Sequence, residues 1–76
     1  MATIAQGESC TIPAGHAEAV VRNTDVTRGG SYDIVIEGNS TKKQIAAGET
    51  QRTAIHQNEA EITNSGKPDL DVPDGA

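Results

Sequence analysis

Few side chains in this chain could carry chemistry, and their spacing decides whether they do. His16 and His56 could act as bases or metal ligands, but they lie far apart and neither has the spacing of a metal or catalytic pair. They read as exposed polar residues near strand ends. Cys10 is the single thiol and has no nucleophile signature around it, so it reads as a small half-buried residue. Ser9 and Ser31 lack the sharp Gly-flanked turn of a nucleophilic serine. Asp69, Asp71, Asp74 and Gly75 faintly resemble a calcium loop, but the third acid falls late and the twelfth ligand position is missing. Arg28-Gly29-Gly30 lacks the further Gly and Lys-Ser/Thr of a phosphate loop. No catalytic residue, metal or cofactor is expected, and the chain is read as a non-enzyme.

The elements that would have to position these groups are strands. Helical periodicity is absent, and the β-branched pair Val20-Val21 after Gly15 argues against a helix there. Ser31–Gly38 holds the only aromatic, Tyr32, and the aliphatic run Ile34-Val35-Ile36 between glycine-containing turns. It is expected as the central strand, covered on both faces. Ser9–Ile12, His16–Asn23, Thr41–Ile45, Glu49–His56 and Ala60–Thr63 are expected as further strands. In His16–Asn23, residues Ala17, Ala19 and Val21 share the buried face by two-residue alternation. Lys42 and Lys43 mark Thr41–Ile45 as a solvent-facing edge that resists unwanted pairing. Leu70 and Val72 suggest a last edge strand. The fold class is all-β, a small sandwich or barrel of six to seven short, mainly antiparallel strands. The expected organisation is a flexible N-terminal arm over 1–7, one β domain over 8–72 and a loose tail over 73–76.

Two internal echoes stand out. Ile12-Pro13-Ala14-Gly15 matches Ile45-Ala46-Ala47-Gly48, and Val21-Arg22-Asn23-Thr24 matches Ile62-Thr63-Asn64-Ser65. Both are read as similar hairpins within one sandwich rather than a duplicated binding loop.

Composition bounds the role. The larger aliphatics are seven Ile, five Val and one Leu, with no Phe or Trp. A core this thin in a short chain usually needs a staple. One cysteine excludes an internal disulfide, so oligomerisation is the expected staple. The formal charge is −5, with acids dispersed among six basic residues, which argues against nucleic-acid and anionic-membrane partners. No apolar stretch is long enough to span a bilayer. The opening residues lack the basic and apolar regions of a signal peptide, and a lone Cys suits synthesis in a reducing cytoplasm.

A short, acidic, all-β chain with Ile-x-Ala-Gly turns resembles the small decoration, or cement, proteins of tailed-bacteriophage capsids. The resemblance implies a β-sandwich, commonly trimeric, that sits on a virion and bridges coat subunits. It transfers no residue role. The residues expected to contact a partner are Ile4, Arg22, Arg28, Lys42, Lys43, Arg52, Leu70 and Val72. The alternative is a small phage inhibitor or sequestering protein, an anti-defence factor binding a host protein or a nucleotide. That would need Tyr32 and the basic residues to line a pocket. A third reading is an immunoglobulin-like module from a larger surface protein.

Overall fold

A computed structural model describes residues 1–76. It contains eight strands and no helix: β1 (Ala2–Ile4), β2 (Ser9–Ile12), β3 (Glu18–Asn23), β4 (Gly30–Ile36), β5 (Asn39–Ile45), β6 (Thr50–Ala54), β7 (Ala60–Asn64) and β8 (Leu70–Val72). They form two four-stranded sheets, in the orders β1-β8-β3-β6 and β2-β7-β4-β5. All six ladders are antiparallel. The sheets face one another across a single core of 13 buried residues, so the molecule is a β-sandwich with one strand more than the upper expectation.

Alternation explains each strand's orientation. In β3 the buried residues are Ala19, Val21 and Asn23; in β7 they are Ala60, Ile62 and Asn64. In β4, Tyr32 and Ile34 point inward and are buried. Ser31, Asp33 and Val35 lie on the opposite face, half-exposed. The expectation that β4 is covered on both faces is therefore corrected. Two layers make the whole molecule, and nothing lies outside the second sheet.

The ends differ from expectation in a similar way. Residues 1–7 are expected as an arm, yet Ala2–Ile4 is a strand laddered to β8, with Ile4 only 3% exposed. This makes β8 an inner strand between β1 and β3, where an edge strand is expected. At the other end Ala76 exchanges both backbone hydrogen bonds with Thr11, at 2.9 and 3.4 Å, and Gly75 is buried against Cys10. The tail thus covers the outer edge of β2.

Only one connection is a hairpin. Ile36 and Asn39 are register partners, joined by Glu37 (φ 51) and Gly38 (φ 80). Positive φ at both central residues is the two-residue turn whose twist suits a hairpin. Every other connection crosses from one sheet to the other. The Ile-x-Ala-Gly segments fall in this class. They link β2 to β3 and β5 to β6, strands of opposite sheets, so they are corrected from hairpins to corners.

The second echo has a deeper meaning. Asn64 follows Asn23, and Ile45 follows Ile4, by the same 41 positions (64 − 23 and 45 − 4). At that offset Ile4-Ala5-Gln6-Gly7-Glu8-Ser9 matches Ile45-Ala46-Ala47-Gly48-Glu49-Thr50, and Glu18-Ala19-Val20-Val21-Arg22-Asn23-Thr24 matches Glu59-Ala60-Glu61-Ile62-Thr63-Asn64-Ser65. The bonding repeats with the sequence. Ala5 N donates to Glu8 Oε1 at 2.7 Å, as Ala46 N does to Glu49 Oε1 at 2.8 Å. Asn64 N donates to Glu8 O at 3.0 Å, as Asn23 N does to Glu49 O at 2.9 Å. Matching β1, β2, β3 and β4 to β5, β6, β7 and β8 turns the order β1-β8-β3-β6 into β5-β4-β7-β2, which is the second sheet. The chain is thus an internal repeat in sequence, bonding and strand order, with the two halves exchanging places between the sheets.

Candidate functional site

The potential chemistry is dispersed and internally occupied. Cys10 is buried, and its burial, ahead of the nearby Glu61 charge, raises the thiol above its ordinary range and disfavours the reactive thiolate. Ser9 shares a hydrogen bond with Thr63 and Ser31 with Ser65, at 2.7 and 3.0 Å, and neither has a base beside it. His16 Nδ1 lies 3.6 Å from Asp74 Oδ2. His56 sits in an exposed turn with φ 51. Asp71 is taken up by Thr3 and Arg22, and Asp74 faces His16, so the C-terminal acids do not converge. No group of three or more His, Cys, Asp or Glu could hold a metal ion.

Tyr32 is 1% exposed, and its hydroxyl donates across the sandwich to Gln51 Oε1 at 2.7 Å. Gln51 Nε2 in turn donates to Gln44 O at 2.6 Å. The ring is core, and these bonds close the open side of the sandwich between β5 and β6. It is not available to stack on a base. The surface carries three open depressions, the largest about 610 Å³ and lined mainly by Gly29, Gly30, Ser31, Gln44 and Glu49.

The residues expected to meet a partner separate into two groups. Ile4, Leu70 and Val72 are corrected to core positions, at 3%, 0% and 0% exposure. They are the inward residues of β1 and β8, the two strands that sequence reading leaves at the periphery. The basic residues are all displayed, but not together. Arg22 and Arg52 lie on the outer face of β1-β8-β3-β6, paired with Asp71 and Glu18. Lys42 and Lys43 lie on the edge strand β5 of the other sheet. Lys43 is the register partner of the inward-facing Tyr32, so its stem leans over the core rim while Lys42 points to water. Arg28 lies in the β3–β4 loop.

That loop is the one surface feature built with unusual care. Asp25 accepts from Thr27 N, Thr27 Oγ1, Arg28 N and Arg28 Nε at 2.7 to 3.1 Å. Its own amide donates to Asn23 Oδ1, and its carbonyl accepts from Gly48 N. The Arg28 bond first, then those from Thr27, hold the Asp25 carboxyl far below the ordinary carboxylate range. Asn23 beneath it donates to Arg28 O and Ala46 O, fixing the base of the loop. At the tip stands Val26, 80% exposed. Apart from Met1, no other large apolar side chain is exposed.

The repeat sharpens this observation. In the first half eight residues separate Asn23 from Tyr32, the inward β4 residue beside Asn64. In the second, five separate Asn64 from Leu70, the β8 residue beside Asn23. The extra residues of the first half are in the Val26 loop. Val26 belongs to none of the strands expected from the sequence. The available signal is an aliphatic between Asn-Thr-Asp and Thr-Arg, residues that tie a loop to itself.

No protein-family model matches the chain, and neither a curated protein nor a solved structure does.

Proposed function

We propose that this protein is a non-enzymatic docking module of the capsid-decoration type, which binds a protein shell through the end bearing the Val26 loop. The observation that carries the reading is an aliphatic, 80% exposed, held on a loop that is hydrogen-bonded to itself. An exposed apolar group on water normally belongs to a scatter of such groups. Here it is nearly solitary, and the backbone that carries it is fixed beforehand, so little ordering is lost when it enters a socket. Arg28, Lys67 and Asp69 surround an adjacent depression and supply a polar rim.

The trimer and the virion setting belong to the same proposal. A single chain already covers its core and leaves no buried side-chain polar atom unpaired. Assembly in this reading therefore serves avidity on a lattice rather than completion of the fold. The test is co-sedimentation with coat shells lacking the protein. The native chain should pellet with shells, and Val26→Asp should remain in the supernatant while melting within a few degrees of the native protein. Equal binding by both would overturn the assignment. Light scattering of the isolated protein at increasing concentration checks the trimer.

A further inference from the structure

The ladders divide in a way the chain's continuity conceals. With the chain halved at Gly38–Asn39, the first half carries β1 to β4 and the second β5 to β8. The six ladders are β1-β8, β3-β8, β3-β6, β2-β7, β4-β7 and β4-β5. Each joins one strand of the first half to one of the second. Neither half contains a ladder of its own, so a half by itself satisfies none of its strand hydrogen bonds internally.

The core is divided in the same way. The first half supplies Ile12, Val21, Tyr32 and Ile34, and the second supplies Ile45, Ile55, Ile62 and Leu70, all within one cluster. The two buried asparagines complete the interlock. Asn64 Nδ2 donates to Ile4 O across the divide at 2.9 Å, and Asn23 Nδ2 donates to Ala46 O at 3.2 Å. Only the exposed Glu37-Gly38 turn joins the halves covalently, and neither residue makes a side-chain hydrogen bond.

From this we infer that residues 1–38 and 39–76 are each other's obligate binding partner: two versions of one intertwining unit, folded by association, with the Glu37-Gly38 turn as a dispensable tether. The surface that each half offers is a set of four separated strands with gaps one strand wide. What fits it is an extended chain bearing the same sequence pattern, an aliphatic-Ala-x-Gly-Glu corner followed by a Glu-Ala-x-aliphatic-x-Asn strand.

A protease site inserted between Gly38 and Asn39 of the full chain tests this. After cleavage, with both halves retained, the nicked protein should elute with the uncut one and keep its strand circular dichroism. Its melting temperature should rise with protein concentration, because the melt is now bimolecular, whereas that of the uncut chain should not. Each purified half should lose the strand signal, and remixing should restore it. Separation of the halves on cleavage, or a half that stays folded alone, would overturn the inference. Hydrogen exchange on the unmodified chain gives an independent readout should the insertion prevent folding. Amides of β3 and β4 from one half, and of β7 and β8 from the other, should exchange through one common opening. A lower-energy opening confined to one half would contradict the interlock.

Discussion

Asn23 and Asn64 show how a polar side chain can hold a core that is short of large apolar ones. Each is almost fully buried at the end of an inner strand. Each uses its amide to satisfy two carbonyls and its oxygen to cap a turn. Replacing Asn64 by Ala strands the Ile4 and Pro68 carbonyls and the Gly66 amide. Buried groups left unpaired cost about 1–3 kcal/mol each, with partial relief from entering water, so Asn64→Ala should destabilise by roughly 2–4 kcal/mol in urea denaturation. Asp71 acts on the outer face of the sheet that contains Asn23. The Thr3 hydroxyl, followed by the Arg22 guanidinium, holds its carboxyl below the ordinary range against the upward push of burial. A depressed folded value means that its stabilisation is complete above the unfolded value, near 4, and is lost as pH falls through the folded one. Urea midpoints compared at pH 7 and pH 3 should show that Asp71→Asn is less stable at pH 7 and loses less on acidification. Sequence marks these residues only in part. The Asn-Thr and Asn-Ser endings are visible as turn chemistry, but whether an Asn points inward depends on which strands flank it.

Elements were most legible where alternation or charge gave their facing directly. The lysines of β5 identify an edge strand, and β5 is an edge; Ala19 and Val21 identify the inner face of β3, whereas Ala17, expected with them, is exposed and precedes the strand. The outermost elements were least legible, because a three-residue strand has too short a pattern to recognise. Ala2-Thr3-Ile4 has one large apolar residue and no internal evidence of pairing. Its order comes from β8, 66 residues away from Ile4 along the chain in the pair Ile4↔Leu70. The consequence is testable, because an arm and a strand respond differently to deletion. Removing residues 1–7 takes Ile4 from the core, one acceptor from Asn64 and one of its two partners from β8. Burial of one Ile alone is worth about 2–5 kcal/mol when truncated. The deletion should abolish the cooperative thermal transition or lower its midpoint by more than ten degrees on the order expected for a small domain. A dispensable arm would leave the melting curve unchanged.

At the scale of the molecule, repetition and interlocking shape how the chain folds. The pairing of the two Asn segments is legible in the sequence, but the Ile45-Ala46-Ala47-Gly48 turn is equally like Ile12-Pro13-Ala14-Gly15. Its structural counterpart is Ile4–Gly7, which shares the Asn offset of 41 positions. Local likeness between two turns does not distinguish a sheet-crossing corner from a hairpin; the common offset does. Because all ladders but β4-β5 join strands distant in sequence, loop-closure entropy opposes nearly every pairing before it is rewarded. Folding should therefore fall in the millisecond-to-second range of β-sandwiches. The β4–β5 hairpin is the only ladder that closes locally, so its turn should be formed in the transition state and β8 should dock later. Gly38→Ala places a Cβ at φ 80, a conformation that disfavours side chains by about 1–2 kcal/mol. Stopped-flow refolding should show this loss mainly as slower folding, whereas Val72→Ala should appear mainly as faster unfolding. If the two variants instead alter both rates alike, the hairpin does not lead, and association of the halves begins at the inner strands β3, β7 and β8.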